Sequence, residues 1–153
     1  MKKINVYADT SVYGGVFDSP FSEASKTFFD DVRNSRYKLY ISEVVRKELD
    51  SAPQHIRDLF ENMLPFSKLA TISSSAINLQ QAYIKEGILS PKWNDDALHV
   101  ALATVSQCDI IVSWNFKHIV HFDKIPKFNA INTLLGYKPI AIFSPLEVIN
   151  YAE

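Results

Sequence analysis

The sequence predicts an α/β fold in which a parallel sheet lies between two layers of helices. Short apolar segments typical of strands alternate along the chain with segments in which apolar residues recur at helical spacing. Strands that are separated by helices of this length favour parallel pairing through right-handed crossovers. With 153 residues, of which 47% are hydrophobic and 22% charged, we expect a single globular domain over residues 1–153.

Two of the predicted strands are the clearest. Residues 3–8 place Ile4, Val6 and Ala8 on one face, and residues 109–113 contain an uninterrupted Ile-Ile-Val run, which is typical of a buried strand. The other predicted strands cover residues 37–41, 69–72 and 140–143.

The helices are predicted from apolar periodicity and from residues that favour helix ends. Ser42 is placed as the N-cap of a helix that reaches residue 50, and Gly87 is placed to end a helix over residues 73–86. The remaining predicted helices are 22–36 capped by Ser22, 53–64 with Pro53 as its first residue, 95–107 capped by Asn94, a short one after Asn115, 129–135, and one that starts at Ser144.

Charge and composition exclude several classes of protein. The net charge of −1 and the pI of about 6.4 are not those of a globally basic nucleic-acid binder, so any RNA affinity must come from a local patch or a metal. Residues 115–138 carry Lys117, Lys124, Lys127 and Lys138 against Asp123, and the first three of these lysines are candidates for contacts with an RNA backbone. No apolar run is long enough to cross a bilayer.

Two further observations concern the compartment. The apolar stretch after the N-terminal lysines is short and interrupted by Asp9, which is unlike a signal peptide. The single cysteine, Cys108, precedes an apolar run and is expected to be buried. We therefore expect a cytoplasmic protein without a membrane segment.

Polar residues follow two of the predicted strands. Asp9, with the hydroxyls of Thr10 and Ser11, ends the first strand, and Asn115 follows the strand over 109–113. Ligands in parallel α/β sheets bind beyond the carboxyl ends of the strands, so these residues lie where chemistry is expected. Further acids come from helices, namely Glu48 and the pair Asp95 and Asp96.

Clustered carboxylates are the ligands of hard divalent cations such as Mg²⁺ and Mn²⁺. Each acid also has a purely structural interpretation. Asp9 is a common turn residue, Glu48 sits among charged residues of an exposed helix face, and Asp95 and Asp96 complement a helix dipole. On the same structural interpretation, His99 is a half-buried packing residue and not a metal ligand.

The order of these motifs resembles the PIN domain family, in particular the VapC-type toxins of bacterial toxin–antitoxin pairs. The resemblance covers nearly the whole chain and rests most on two stretches, Asp-Ala-Leu-His-Val-Ala-Leu-Ala from Asp96 and Ser-Trp-Asn-Phe-Lys-His from Ser113. It implies a three-layer α/β/α fold, a Mg²⁺- or Mn²⁺-dependent ribonuclease centre, an antitoxin partner and a homodimer. Aromatic residues of an early loop, Tyr13, Phe17 and Phe21, are candidates for the partner surface.

The resemblance also assigns roles to residues. Asp9, Glu48 and Asp96 correspond to the acids of the family, with Asp95 as an additional metal neighbour. The remaining candidates are Asn115 as a catalytic residue and Thr10, Ser11, Lys117 and His118 as substrate-binding residues.

The sequence departs from the family at two of these positions. Many members carry a fourth acid where this chain has Asn115, which brings no negative charge, and a frequent Asp is replaced by His118. This difference leaves open a second interpretation, that of a weakened or inactive PIN-like binding module. A phosphatase or nucleotide binder is disfavoured because the chain lacks glycine-rich phosphate-binding motifs.

Overall fold

A computed structural model describes residues 3–149, and a five-stranded sheet forms its centre. The strands lie in the order β3-β2-β1-β4-β5, and every neighbouring pair is parallel. Helices flank the sheet in a three-layer α/β arrangement, so the predicted fold class is confirmed. The strands are β1 (Ile4–Ala8), β2 (Tyr37–Ile41), β3 (Ser67–Leu69), β4 (Ile110–Val112) and β5 (Ala141–Phe143).

Within residues 3–149 the connections contain seven α-helices and three 3₁₀ turns. The helices are α1 (Thr10–Gly15), α2 (Ser22–Arg33), α3 (Glu43–Leu49), α4 (Gln54–Met63), α5 (Ser74–Lys85), α6 (Asn94–Val105) and α7 (Ile125–Leu134). The 3₁₀ turns are Leu64–Phe66, Pro91–Trp93 and Pro145–Glu147.

β1 is the central strand and the most buried one. Val6, Tyr7 and Ala8 are 0% exposed because neighbouring strands cover both edges and helices cover both faces. Ala8 is paired with Val112 of β4, and the main-chain N–H of Asp9 donates to the carbonyl of Val112 at 3.2 Å. This register brings the carboxyl ends of β1 and β4 side by side.

Several predicted helix ends are confirmed. The Ser42 hydroxyl accepts the N–H of Val45 at 3.2 Å and caps α3. Gly87 follows α5 with a φ of +77°, a left-handed conformation that glycine adopts without strain, so it ends this helix as predicted.

The short helix α1 was not predicted. It contains Gly14 and Gly15, which have poor helix propensity, and six residues are too few to show apolar periodicity. It forms because the Asp9 side chain caps it by accepting the N–H of Ser11, and because Val12 and Tyr13 are buried in the core.

Other predictions were wrong by a few residues. Asn94 lies inside α6 rather than at its N-cap, because the preceding 3₁₀ turn runs directly into the helix. Pro53 is the N-cap of α4 and not its first residue. Ser22 is the first residue of α2, and its hydroxyl donates to the carbonyl of Val16 instead of capping.

The remaining differences lie at the edges of the sheet and after β4. The third strand lies at Ser67–Leu69, earlier than expected, and α7 begins at Ile125 because Pro126 occupies its first turn. The residues after Asn115 form turns rather than a helix, and the final predicted helix is the 3₁₀ turn Pro145–Glu147. Within residues 3–149 no helix has the length and apolar character needed to cross a membrane.

The packing of α1 gives a testable prediction with a matched control. A Cβ atom at Gly15 would lie 2.7 Å from Ser25 Oγ and from Trp114 Nε1, whereas one at Gly14 would meet nothing within 4 Å. We expect Gly15→Ala to lower the free energy of unfolding by about 1–3 kcal/mol through overpacking. Gly14→Ala should instead raise it by about 0.5–1 kcal/mol because alanine favours the helix.

Urea denaturation followed by far-UV circular dichroism measures both changes. Equal effects of the two substitutions would contradict the close contact of α1 with Ser25 and Trp114.

Candidate functional site

Asp9 lies at the carboxyl end of β1 and is 4% exposed. Its Oδ1 accepts hydrogen bonds from the Ser11 N–H at 3.1 Å and from the Ser11 hydroxyl at 2.5 Å. Its Oδ2 accepts the Ser113 hydroxyl at 2.6 Å. Burial raises the pKa of Asp9, and the charge of His99 and the two serine hydroxyls act in the opposite direction.

Ser113 connects the two strand ends and was not singled out as a site residue from the sequence. Its hydroxyl donates to Asp9 and accepts the N–H of Asn115 at 2.9 Å, so it holds the residue after β4 in place relative to β1. The signal that could have identified it is its position directly after a buried strand, the criterion that identified Asp9.

Glu48 extends from α3 towards the same end of the sheet. Its Oε1 accepts the Thr10 hydroxyl at 2.7 Å and the His99 Nε2–H at 2.6 Å. Its side chain remains 32% exposed, so it stands at the border between the buried acid and solvent. Burial alone would raise the pKa of Glu48, but the hydrogen bonds from His99 and Thr10 outweigh it and the pKa is lowered.

His99 is the basic group of this cluster and is 1% exposed. Burial lowers the pKa of His99, but the hydrogen bond to Glu48 and the charges of Asp9, Glu48 and Asp96 outweigh it, so the pKa is raised. His99 thus lies within electrostatic range of all three acids. It therefore contacts the candidate site and is not only the packing residue that the sequence suggested.

A buried hydrogen-bond chain fixes the His99 ring. Nδ1 lies 2.7 Å from the Tyr7 hydroxyl, which lies 2.7 Å from the Ser42 hydroxyl, and Ser42 caps α3. The chain links β1, α3 and α6 through the side chains that orient Glu48. Tyr7 carried no functional signal in the sequence, because a tyrosine in a strand is ordinary.

Asp96 belongs to a second group of side chains on the β4 side. Its Oδ2 accepts the His118 Nδ1–H at 2.8 Å and the Asn115 side-chain amide at 3.3 Å. The Asn115 Oδ1 accepts the main-chain N–H groups of Lys117 and His118 at 3.2 and 2.9 Å. Asn115 therefore orders the turn after β4 and contacts an acid with its amide.

The other candidate residues lie around this centre. Asp95 is exposed and lines a cavity of about 420 Å³ together with Glu43, Lys47 and Glu48. Of the aromatic residues considered for a partner surface, Phe17 is 47% exposed, but Tyr13 is 0% exposed and packs against Phe29 and Phe60. Tyr13 is therefore a core residue, and its assignment to a partner surface was wrong.

The donor chemistry of the acids suits a divalent metal. Asp9 is buried without a lysine, arginine or histidine within ion-pair distance among residues 3–149, so a cation would offset the cost of its burial. The same residues contain no group of three or more His, Cys, Asp or Glu side chains placed to hold an ion. Mg²⁺ is commonly bound by one or two carboxylates, with water and substrate phosphates as the other ligands, and the site fits this mode.

Comparisons with known proteins place the fold. No family model and no curated protein matches the sequence. Solved structures do match, including VapBC2 from Rickettsia felis bound to a DNA fragment from its promoter, with a TM-score of 0.61 and 13% identity over 92% of this chain and 98% of that one.

FitAcB from Neisseria gonorrhoeae gives a TM-score of 0.59 and 14% identity over 94% of this chain and 99% of that one. FitAB bound to an IR36 DNA fragment gives a TM-score of 0.60 and 12% identity over 96% of this chain and 99% of that one. The chain has a PIN-like fold. At identities this low, the similarity establishes the architecture alone.

The pKa shifts in this candidate site give a second prediction. In metal-free buffer with EDTA, we expect the pKa of His99 to lie above its ordinary value of about 6.5. Because folding raises the pKa of His99, protonation of this ring stabilises the folded state. That contribution to the free energy of unfolding is complete at pH values below the pKa of His99 in the unfolded chain. It is lost as the pH rises through the pKa of His99 in the folded protein.

Titration of the histidine ring protons by NMR measures this directly. Glu48→Gln should lower the pKa of His99, whereas Glu43→Gln, which removes an exposed partner of Arg46 on the same helix, should leave it unchanged. A His99 pKa that does not respond to Glu48→Gln would refute the charge coupling.

Proposed function

We propose that this protein is a Mg²⁺- or Mn²⁺-dependent endoribonuclease that acts as the toxin of a toxin–antitoxin pair in the cytoplasm. The observation that carries the proposal is the placement of Asp9, a buried acid without a basic ion-pair partner among residues 3–149, at the end of the central strand. Glu48 and Asp96 lie close enough that, with Asp9, all three shift the pKa of one histidine. Such a concentration of negative charge favours a bound cation.

The roles of the acids follow from their surroundings. Asp9, Glu48 and Asp96 would hold the ion partly through bound waters, because no three acids within residues 3–149 are placed to ligate it directly, and Asp95 would be an exposed neighbour. A bound divalent ion lowers the pKa of water and stabilises negative charge on a phosphoryl oxygen. Asp9 is the most buried of these acids, and the hydroxyls of Ser11 and Ser113 hold it in one orientation.

Glu48 is suited to orient the attacking water. Its lowered pKa keeps it ionised at neutral pH, and its Oε1 is occupied by Thr10 and His99. Its Oε2 takes no part in the hydrogen bonds within residues 3–149, so that oxygen is available to accept a hydrogen bond from water. Asp95 is the alternative for this role because it is exposed beside Glu48 in the same cavity.

The proposed partners follow from the similar structures. The names VapBC2, FitAcB and FitAB each denote a complex of two proteins, and two of these structures include DNA. We extend this to an antitoxin protein that binds this chain, and to a homodimer. Co-purification with the product of the neighbouring gene tests the antitoxin.

A catalytically weakened or inactive binding module is the second candidate function. Its support is Asn115, whose uncharged amide contacts Asp96 where a fourth acid is frequent in the resembling family. The absence of a three-ligand group within residues 3–149 points the same way.

Substitution of single acids tests the nuclease. We expect Asp9→Asn and Asp96→Asn each to reduce Mg²⁺-dependent cleavage of a mixed RNA substrate by about 100-fold or more, because each removes a charged metal ligand. Asp50→Asn, at an exposed aspartate that follows α3, serves as the control and should cleave like the wild type. Cleavage is measured on denaturing gels, and EDTA should abolish it.

Circular dichroism establishes that each variant is folded. RNA cleavage that persists undiminished in both Asp9→Asn and Asp96→Asn would sink the assignment. A folded wild type that never cleaves RNA would favour the binding module.

Asn115→Asp separates the two candidates further. The new carboxylate keeps an oxygen acceptor for Lys117 and His118 but places a like charge beside Asp96. In EDTA we expect a lower melting temperature than in the wild type, and with Mg²⁺ a larger upward shift, because the cation relieves the repulsion.

Asn115→Ala is the control, since it removes the amide without adding charge. Thermal unfolding at increasing Mg²⁺ concentration measures these shifts. If Mg²⁺ raises the melting temperature of Asn115→Asp by no more than that of Asn115→Ala, the metal does not bind near Asp96.

A further inference from the structure

Two lysine ammonium groups lie over the same indole ring at one side of the site. Lys92 Nζ is 5.0 Å and Lys117 Nζ is 5.9 Å from the centre of the Trp93 ring, within cation–π range. Trp93 borders a cleft of about 330 Å³ that is also lined by Lys117, His118 and Lys124. We call Lys92, Trp93 and Lys117 the tryptophan–lysine patch.

The patch is attached to the acid site through His118. The His118 ring packs against Trp93 with 4.3 Å between ring centres, and its Nδ1–H donates to Asp96 at 2.8 Å. Asn115 accepts the main-chain N–H of Lys117, which fixes the start of that side chain. His118 therefore lies between the proposed metal ligand Asp96 and the indole ring of Trp93, which the two lysine ammonium groups contact.

The charges of the patch are not neutralised by neighbouring acids. Within the part of the chain that the structure describes, neither Lys92 nor Lys117 forms an ion pair or donates a side-chain hydrogen bond. By contrast, Lys127 pairs with Asp123 at 3.3 Å and Lys124 donates to the carbonyl of Ile88 at 3.0 Å. The sequence suggested Lys117, Lys124 and Lys127 for contacts with the RNA backbone. Of these three, only Lys117 has an ammonium group without an ion pair or hydrogen bond among the described residues, and the same holds for Lys92.

Another part of the site has the other sign of charge. There the cavity beside Glu48 is lined by Glu43, Asp95 and a single Lys47. A polyanion that approaches the acids is therefore repelled on the Glu48 side and attracted on the His118 side.

We propose that the tryptophan–lysine patch binds the phosphate backbone of the RNA next to the scissile bond. This inference rests on the proposed ribonuclease function and assigns the side of the site on which the strand lies. The two lysines supply phosphate contacts that carry no sequence information, and the indole keeps their ammonium groups together. The patch supplies the local positive charge that a chain of net charge −1 needs for binding RNA.

The test measures binding separately from cleavage. A fluorescein-labelled single-stranded oligoribonucleotide is titrated by anisotropy in EDTA, at several salt concentrations, with wild type and with Lys92→Gln/Lys117→Gln. Losing two phosphate contacts should reduce the slope of log Kd against log salt by roughly 1.4, about 0.7 for each contact. Lys127→Gln, at a lysine already paired with Asp123, is the matched control and should keep the wild-type slope.

Intrinsic fluorescence gives an independent readout because Trp93 and Trp114 are the two tryptophans of the chain. RNA should quench wild-type emission, and Trp93→Phe should remove most of that change. Trp114 borders a different cavity, lined by Phe17, Phe21 and His55, so it reports RNA that binds there instead.

An unchanged salt slope in the double lysine variant, or full quenching in Trp93→Phe, would overturn the proposal. Binding of an octaglutamate peptide with no binding of RNA would assign the patch to an acidic protein segment and would also overturn it. RNA binding through the patch by a wild type that does not cleave with Mg²⁺ would refute the nuclease while leaving this contact in place.

Discussion

The site depends on the burial of one carboxylate, that of Asp9. A carboxylate loses its hydration when it is buried, and this cost has to be met by hydrogen bonds or by opposite charge. Here Ser11 and Ser113 supply hydroxyls from two different segments, which the register of β1 and β4 brings together. The α1 helix begins at the same residue, so one side chain ends a strand, caps a helix and joins two strands.

For the candidate site, the distribution of charged side chains matters more than the net charge of the chain. The chain is nearly neutral, yet its acidic centre adjoins both the acidic surface around Glu43 and Asp95 and the cations of the tryptophan–lysine patch. His99 supplies a basic group within the acidic centre, held by Glu48 on one side and by Tyr7 on the other. This arrangement orients the acids while leaving Asp9 without an ion-pair partner among residues 3–149.

The sequence was sufficient for the architecture, and it pointed to the strand ends at which the candidate site is proposed. Strand alternation predicted the parallel sheet, and the rule that ligands bind at strand ends pointed to Asp9 and Asn115. Helix α1 was missed because its stability comes from the Asp9 cap and from burial of Val12 and Tyr13, neither of which has a periodic pattern.

The contacts within the site were harder to foresee for a related reason. Tyr7, Ser113 and Trp93 lie far apart in the chain, and none of them was singled out as a site residue from the sequence. Their roles arise only when the register of β1 with β4, and the packing of α6 against that end of the sheet, bring them next to the acids.

The two outermost strands, β3 and β5, are only three residues long. An edge this short exposes few unpaired main-chain groups and offers little template for an added strand from another molecule. Sheet extension is therefore a poor route for this chain to associate with itself or with another protein. Side-chain complementarity between helical faces is the route that the architecture leaves open.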